Sequence, residues 1–357
     1  MRRSRIYAEP VHVPDGFLDV PTSLATGVVA AATVAVALKK SRNELDERTA
    51  PMAGLTAAFV FAVQMLNFPV GVGTSGHLMG GALAAVLVGP WTAVLVLTVV
   101  LAVQALVFAD GGLTALGTNI LLIGIVTVAV GWLVTKGVLL LLPKRPASVV
   151  PASFVGALLS VPAAAAVFVL LYMVGGATEL PFGALLATML GWHTLIGLGE
   201  AFITAATVGA VIAVRPDLVY AARGLQQNLV LRTSDGQQIA APVAADEAAE
   251  PSRSPWPLVA AGLGVALVLA GALSFVASSN PDGLEYVAGS RGFLDAARDS
   301  AVGGWLLADY GDVGGIPVGV AGLIGVGLTI LIGLVLFRWL GRPREQAPEQ
   351  PSQTAGV

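Results

Sequence analysis

Trp91-Thr92-Ala93-Val94-Leu95-Val96-Leu97-Thr98-Val99-Val100-Leu101-Ala102-Val103-Gln104-Ala105-Leu106-Val107-Phe108 carries no charged side chain. Its length is near the ~20 residues that cross a bilayer as a helix. Outward from it, similar apolar runs occupy residues 21–38, 52–70 and 77–89 on one side. On the other they occupy 116–142, 149–174, 191–214, 256–277 and 316–340. That makes about nine candidate spans, of which 77–89 is short and reads as tilted or partly re-entrant. The expected fold is an all-α polytopic membrane protein of about seven spans followed by a two-span C-terminal module.

Composition agrees. The chain has 357 residues, 56% hydrophobic and 11% charged, and its mean hydropathy is +0.83. Soluble domains hold roughly 25% charged residues. The 43 glycines, most within apolar runs, suit helices that pack backbone against backbone in lipid. There is no cysteine, which excludes disulfides, thiolate metal sites and cysteine nucleophiles, so any bound metal must use nitrogen or oxygen. The net charge of −3 says little about partners; a lipid bilayer is expected and nucleic acid is not.

Lys and Arg set the orientation. With the first span entering from outside, 14 of the 19 basic residues fall on the cytoplasmic side, from Lys39, Lys40 and Arg42 to Arg338, Arg342 and Arg344. Arg291 and Arg298 are exceptions in the last large loop, and Arg2, Arg3 and Arg5 conflict at the N-terminus. Residues 216–255, polar and then Ala/Pro/acidic, read as a cytoplasmic linker. Residues 341–357 read as a disordered tail.

Four segments carry the polar chemistry. Val11-His12-Val13-Pro14-Asp15-Gly16-Phe17-Leu18 contains a tight-turn signal that folds the N-terminal segment back. Taken alone, His12 is either a ligand or an exposed terminal residue. Gly71-Val72-Gly73-Thr74-Ser75-Gly76-His77-Leu78-Met79-Gly80-Gly81 is a glycine-rich approach in which other segments can come close to His77. Ala109-Asp110-Gly111-Gly112-Leu113-Thr114-Ala115-Leu116-Gly117-Thr118-Asn119 places Asp110 outside, as a cation collector or an ordinary turn, and Asn119 as an interhelix contact. In Gly191-Trp192-His193-Thr194-Leu195-Ile196-Gly197-Leu198-Gly199-Glu200-Ala201, the spacing puts His193 and Glu200 on one helix face, where they line a cavity or form a polar clasp.

Together these motifs resemble the CbiM/NikM family, the membrane subunits of nickel and cobalt energy-coupling-factor transporters. The resemblance implies that the metal is held by a free terminal amine, the amide nitrogen and the imidazole of the second residue, and a second histidine. In this chain those are Val11, His12 and His77, with His193, Glu200, Asp110 and Asn119 in support. That reading requires Val11 to be the true start or a trimmed N-terminus, with residues 1–10 a start-site artefact or a removed segment, and residues 11–215 the metal-binding membrane domain. Such an all-nitrogen tetragonal set suits Ni(II) or Co(II). Those ions are the transported substrate, with no resident cofactor.

Ser278-Ser279-Asn280-Pro281-Asp282-Gly283-Leu284-Glu285, then Gly292-Phe293-Leu294 and Ala308-Asp309-Tyr310-Gly311, resemble the PDGLE domain (CbiN/NikN type), here over residues 256–340. The resemblance implies a loop that helps load the metal, with Asp282, Glu285 and Asp309 among its carboxylates. No phosphate loop of the Gly-x-x-x-x-Gly-Lys-Ser/Thr kind occurs, so the chain does not hydrolyse ATP by that route. The His-Glu-x-x-His motif of zinc proteases is also absent, and a transporter subunit rather than an enzyme is expected. The resemblance implies two cytoplasmic ATPase subunits and a transmembrane coupling subunit as partners, in a bacterial plasma membrane. A standalone secondary divalent-metal carrier is the alternative. Nickel and cobalt are not separated by these residues.

Overall fold

In the computed structural model, the residues described are 12–46, 49–71, 73–225, 230–232, 238–240, 254–308 and 316–342. Residues 1–11 and 343–357, and with them Val11 and the expected tail, lie outside the described set, as do Asp309 and most of the 226–253 linker.

Carboxylates begin several of the helices. Helix α1 (Val20–Lys40) starts where Asp19 accepts the Thr22 N–H at 2.9 Å, has a proline in its first turn, and ends on Lys39 and Lys40, as the helix dipole favours. Beyond α2 (Ala50–Gln64), the chain forms an antiparallel hairpin of β1 (Phe68–Gly71) and β2 (Thr74–Gly76). It then runs without helix or strand through His77 into α3 (Gly81–Val88). Helix α4 (Pro90–Val107) follows directly, and Glu44 accepts from its Trp91 N–H at 3.1 Å and its Thr92 N–H at 2.7 Å. Burial of Glu44 pushes its carboxyl pKa upward, against the pull of those N–H groups.

The next pass, Leu116–Leu139, comprises α5 (Leu116–Asn119), a π-helical segment at Ile120–Val126 and α6 (Thr127–Leu139). Helices α7 (Val149–Gly175) and α8 (Phe182–Val214) form a long antiparallel pair. A small hairpin, β3 (Val230–Arg232) with β4 (Gln238–Ala240), precedes α9 (Trp256–Gly271), α10 (Gly283–Arg291) and α11 (Val318–Leu340).

Two expectations need correction. The nine expected passes are present, but among the described residues six helical stretches are long and apolar enough to cross a membrane alone, and three passes rest on shorter elements. Helices α2 and α9 are shorter apolar helices, and α3 has eight residues, a rise of about 12 Å. The remainder of the α3 pass, residues 77–80, is non-helical chain, and the two hairpins are short additions to a mainly helical fold. Helix α8 begins at Phe182 after Pro181, not at Gly191: that glycine sits mid-helix with nothing within 4 Å of where a Cβ would lie. The linker begins later than 216, because Leu218, Val219 and Ala222 are buried within two short 3-10 turns.

The basic residues gather at one end of the bundle. Lys40 lies over the Trp91 ring at 4.5 Å, Arg42 over Trp339 at 4.9 Å and Arg338 over Trp256 at 5.1 Å, while Arg223 donates to the Glu44 carbonyl at 3.0 Å. Tryptophan paired with cations is the pattern of a membrane interface. At the opposite end lie the 12–19 arm, the β1–β2 hairpin, the 108–115 turn and the 278–308 loop. Helices α9 and α11 pack on α2 through small residues: a Cβ on Gly325 would meet the Phe61 ring, and one on Gly333 would lie 3.0 Å from the Gly54 Cα.

Candidate metal site

Residues 12–19 form an arm held by its backbone. Asn119 accepts the Val13 N–H at 3.0 Å and returns its side-chain amide to the Val13 carbonyl at 3.1 Å. The Gly112 N–H adds a second bond to that carbonyl at 3.0 Å. Asp15 accepts the Leu113 N–H at 3.1 Å and the Thr114 N–H at 2.7 Å, together with the Thr114 hydroxyl. The Asp-Gly-Gly turn therefore has a reason for its glycines. A Cβ on Gly112 would sit 2.2 Å from the Asp15 nitrogen, and one on Gly111, at φ +85°, would lie 3.0 Å from the His12 Cβ.

His12 is 2% exposed. Its Nδ1 lies 3.2 Å from Asp110 Oδ1, and since a carboxylate only accepts, Nδ1 carries a proton in this contact. That Nε2 is buried with no hydrogen-bond partner.

His77 lies in non-helical chain because α3 starts late. In a bilayer, backbone outside a helix needs partners from the protein, and these are present. Glu200 accepts the Met79 N–H at 2.7 Å and the Gly80 N–H at 3.1 Å. Gln64 donates to the Met79 carbonyl at 3.0 Å and is itself held by Gln104 at 2.9 Å. Gly80 takes φ +82°, a left-handed turn that other residues rarely adopt. The His77 Nδ1 is 3.1 Å from the Leu78 carbonyl, which likewise places a proton on Nδ1. The two rings meet edge to face with centroids 5.3 Å apart.

His193, on α8, directs Nδ1 to the Met189 carbonyl at 2.8 Å. All three histidines of the chain, the C-terminal Asp282, and Asn119 line one cavity of about 50 Å³. Asp282 caps α10 by accepting the Glu285 N–H at 2.8 Å, and its Oδ2 lies 3.9 Å from His77 Nε2. Among the described residues no three His, Asp or Glu side chains are gathered tightly enough to hold an ion unaided.

The structure thus brings together His12, His77, His193, Asp110, Asn119 and Asp282. Glu200 stands behind His77 as a backbone acceptor, and Glu285 lies outside the cavity wall. Val11 and Asp309 fall outside the described residues. Sequence reasoning missed Asp15, Gln64 and Gln104. The only signal for Asp15 was its place in a Pro-Asp-Gly turn; the two glutamines were visible as rare polar residues inside apolar runs.

Comparison with known proteins completes the picture. The model of the CbiM family, described as a cobalt uptake substrate-specific transmembrane region, matches residues 12–218, and that of the PDGLE domain matches 256–342. A protein of Archaeoglobus fulgidus, named by inference a fused nickel transport protein NikMN, is 32% identical over 92% of this chain and 99% of its own. The fused nickel transport protein NikMN of Rhodobacter capsulatus is 40% identical over 32% of this chain and 33% of its own. The cobalt transport protein CbiM of Sorangium cellulosum is 33% identical over 58% of this chain and 94% of its own. With its broken third pass, its histidine-lined cavity and both family matches in order, this multi-pass membrane chain belongs to the CbiM family of metal transport proteins and carries a PDGLE domain behind it.

Proposed function

We propose that the chain is the substrate-capturing membrane component of an ATP-driven energy-coupling-factor importer, and that it holds Ni(II) or Co(II) in the His12–His77 cavity. One observation carries this reading. Every histidine in the chain converges on one buried space, and His77 and His193 have Nδ1 set on a carbonyl oxygen, the outer-shell arrangement that orients imidazole ligands. The shortage of convergent side-chain ligands is met by backbone nitrogens at Val11 and His12, which with an imidazole form fused chelate rings. Such a chelate closes through His12 Nδ1, so Asp110 has to release that nitrogen as the ion enters.

Relatives named for nickel transport and for cobalt transport support either ion as cargo. The chain holds no phosphate loop, so energy comes in this proposal from two cytoplasmic ATPase subunits and a transmembrane coupling subunit. The experiment is metal analysis of purified protein. His77→Ala should lose stoichiometric nickel and cobalt while keeping its elution profile, and full retention of the ion would remove His77 from the site. Intact mass of the mature chain checks the backbone donors, which need Val11 to carry a free amine.

A further inference from the structure

We infer that Asp282, from the PDGLE domain, is itself a ligand of the captured ion, adding a carboxylate oxygen beside His77 so that the two modules of the chain complete one coordination shell. The inference rests on the cavity being the metal site.

Three observations carry it. Asp282 is 5% exposed and lines the cavity shared with the histidines. Its Oδ2 stands 3.9 Å from His77 Nε2, too far for a hydrogen bond. First-row divalent ions hold imidazole nitrogen and carboxylate oxygen at roughly 2.1 Å each, so an ion fits between these two atoms with a wide N–metal–O angle. The cavity also contains an unpartnered buried nitrogen, His12 Nε2, an orphaned polar atom in the same space.

The placement of Asp282 is built in. Its Oδ1 takes the Glu285 N–H at 2.8 Å as the cap of α10, which sets the carboxylate plane. The preceding residues are tied to the strand that leads to His77: Ser75 donates its N–H to the Pro281 carbonyl at 2.8 Å and its hydroxyl to the Asn280 carbonyl at 2.7 Å. Asp282 and His77 therefore move as one unit. A negative oxygen in the set also offsets part of the ion's charge in a low-dielectric surrounding, which the neutral imidazoles do not.

The test uses the full chain with Co(II) as probe. Asp282→Asn keeps a side-chain oxygen to cap α10 but is a far weaker donor to a cation. It should weaken Co(II) binding, measured by calorimetry, by roughly 10- to 100-fold and alter the visible ligand-field spectrum of the bound ion. Unchanged affinity together with an unchanged spectrum overturns the inference. Infrared difference spectra of the wild-type chain give a second measure that needs no variant: Co(II) loading should shift a carboxylate stretch, and its absence would equally count against Asp282. His77→Ala separates the two levels of the argument. If that variant still binds Co(II), the proposed site itself is wrong; if it does not, and Asp282→Asn behaves like wild type, only the carboxylate ligand is lost.

Discussion

His12 shows how far a single side chain depends on its neighbour. The Asp110 carboxylate holds the ring through Nδ1, the nitrogen that the proposed chelate needs, so Asp110→Ala removes a competing acceptor. The expected result is an intact fold with metal affinity kept or raised, read by equilibrium dialysis. A fall of roughly 10-fold or more would mean that the ion binds Nε2 while Asp110 orients the ring from behind. At this scale the sequence was generous about identity: His12, His77 and Asp110 stand in recognisable motifs, and with three histidines in the chain few combinations existed. Distance was hidden. Nothing in the spacing of Asp110 from His12 told that the two would touch, because the contact depends on Asn119 and Gly112 fastening the arm. Asp282 was legible only as one carboxylate in a polar loop, since its approach to His77 crosses 205 positions of chain and is set by the backbone of Ser75.

Among the elements, α3 is the informative one. Apolar periodicity placed a span over 77–89 and noted its shortness, but pattern alone did not say where the helix would fail. It fails at Gly80, whose φ is +82°, and the exposed N–H groups find Glu200 on a helix distant in sequence. Glu200→Gln replaces one accepting oxygen with an NH₂ group facing a backbone donor. Leaving a buried N–H unsatisfied costs roughly 1–3 kcal/mol, so the variant should melt at lower temperature in detergent and hold His77 less firmly. An unaltered melting temperature would show that Met79 and Gly80 have another acceptor. The early start of α8 and the strands leading to His77 were not legible for a related reason. Both are decided by packing, since a Cβ on Gly71 would collide with the Trp192 ring and one on Gly76 with Ile196.

For the molecule as a whole, the two modules share one surface rather than touching at an edge. Phe17 of the arm meets Phe293 of the PDGLE loop with ring centroids 5.1 Å apart, and Phe293 meets Tyr172 at 4.8 Å. The Arg298 N–H donates to the Asp15 carbonyl at 2.7 Å, and the Ser278 N–H to the Asn67 carbonyl at 2.7 Å. The chain has no cysteine, so Asn67→Cys combined with Ser278→Cys gives a clean probe: a disulfide should form on mild oxidation in native membranes, seen as a mobility shift that reductant reverses. Failure to cross-link would place the loop elsewhere in the bilayer-embedded protein. The order of the modules was readable from motifs; their docking was not, because it is made by glycines meeting rings and by main-chain bonds that leave no imprint on side-chain pattern. One consequence follows from carrying both modules on a single polypeptide. Because both modules belong to one chain, closing the loop over the arm is a unimolecular event, with an effective concentration on the order of millimolar. Expression level and dilution then have no influence on how often the pair meets, and a weak contact suffices where two separate chains would need a tight one.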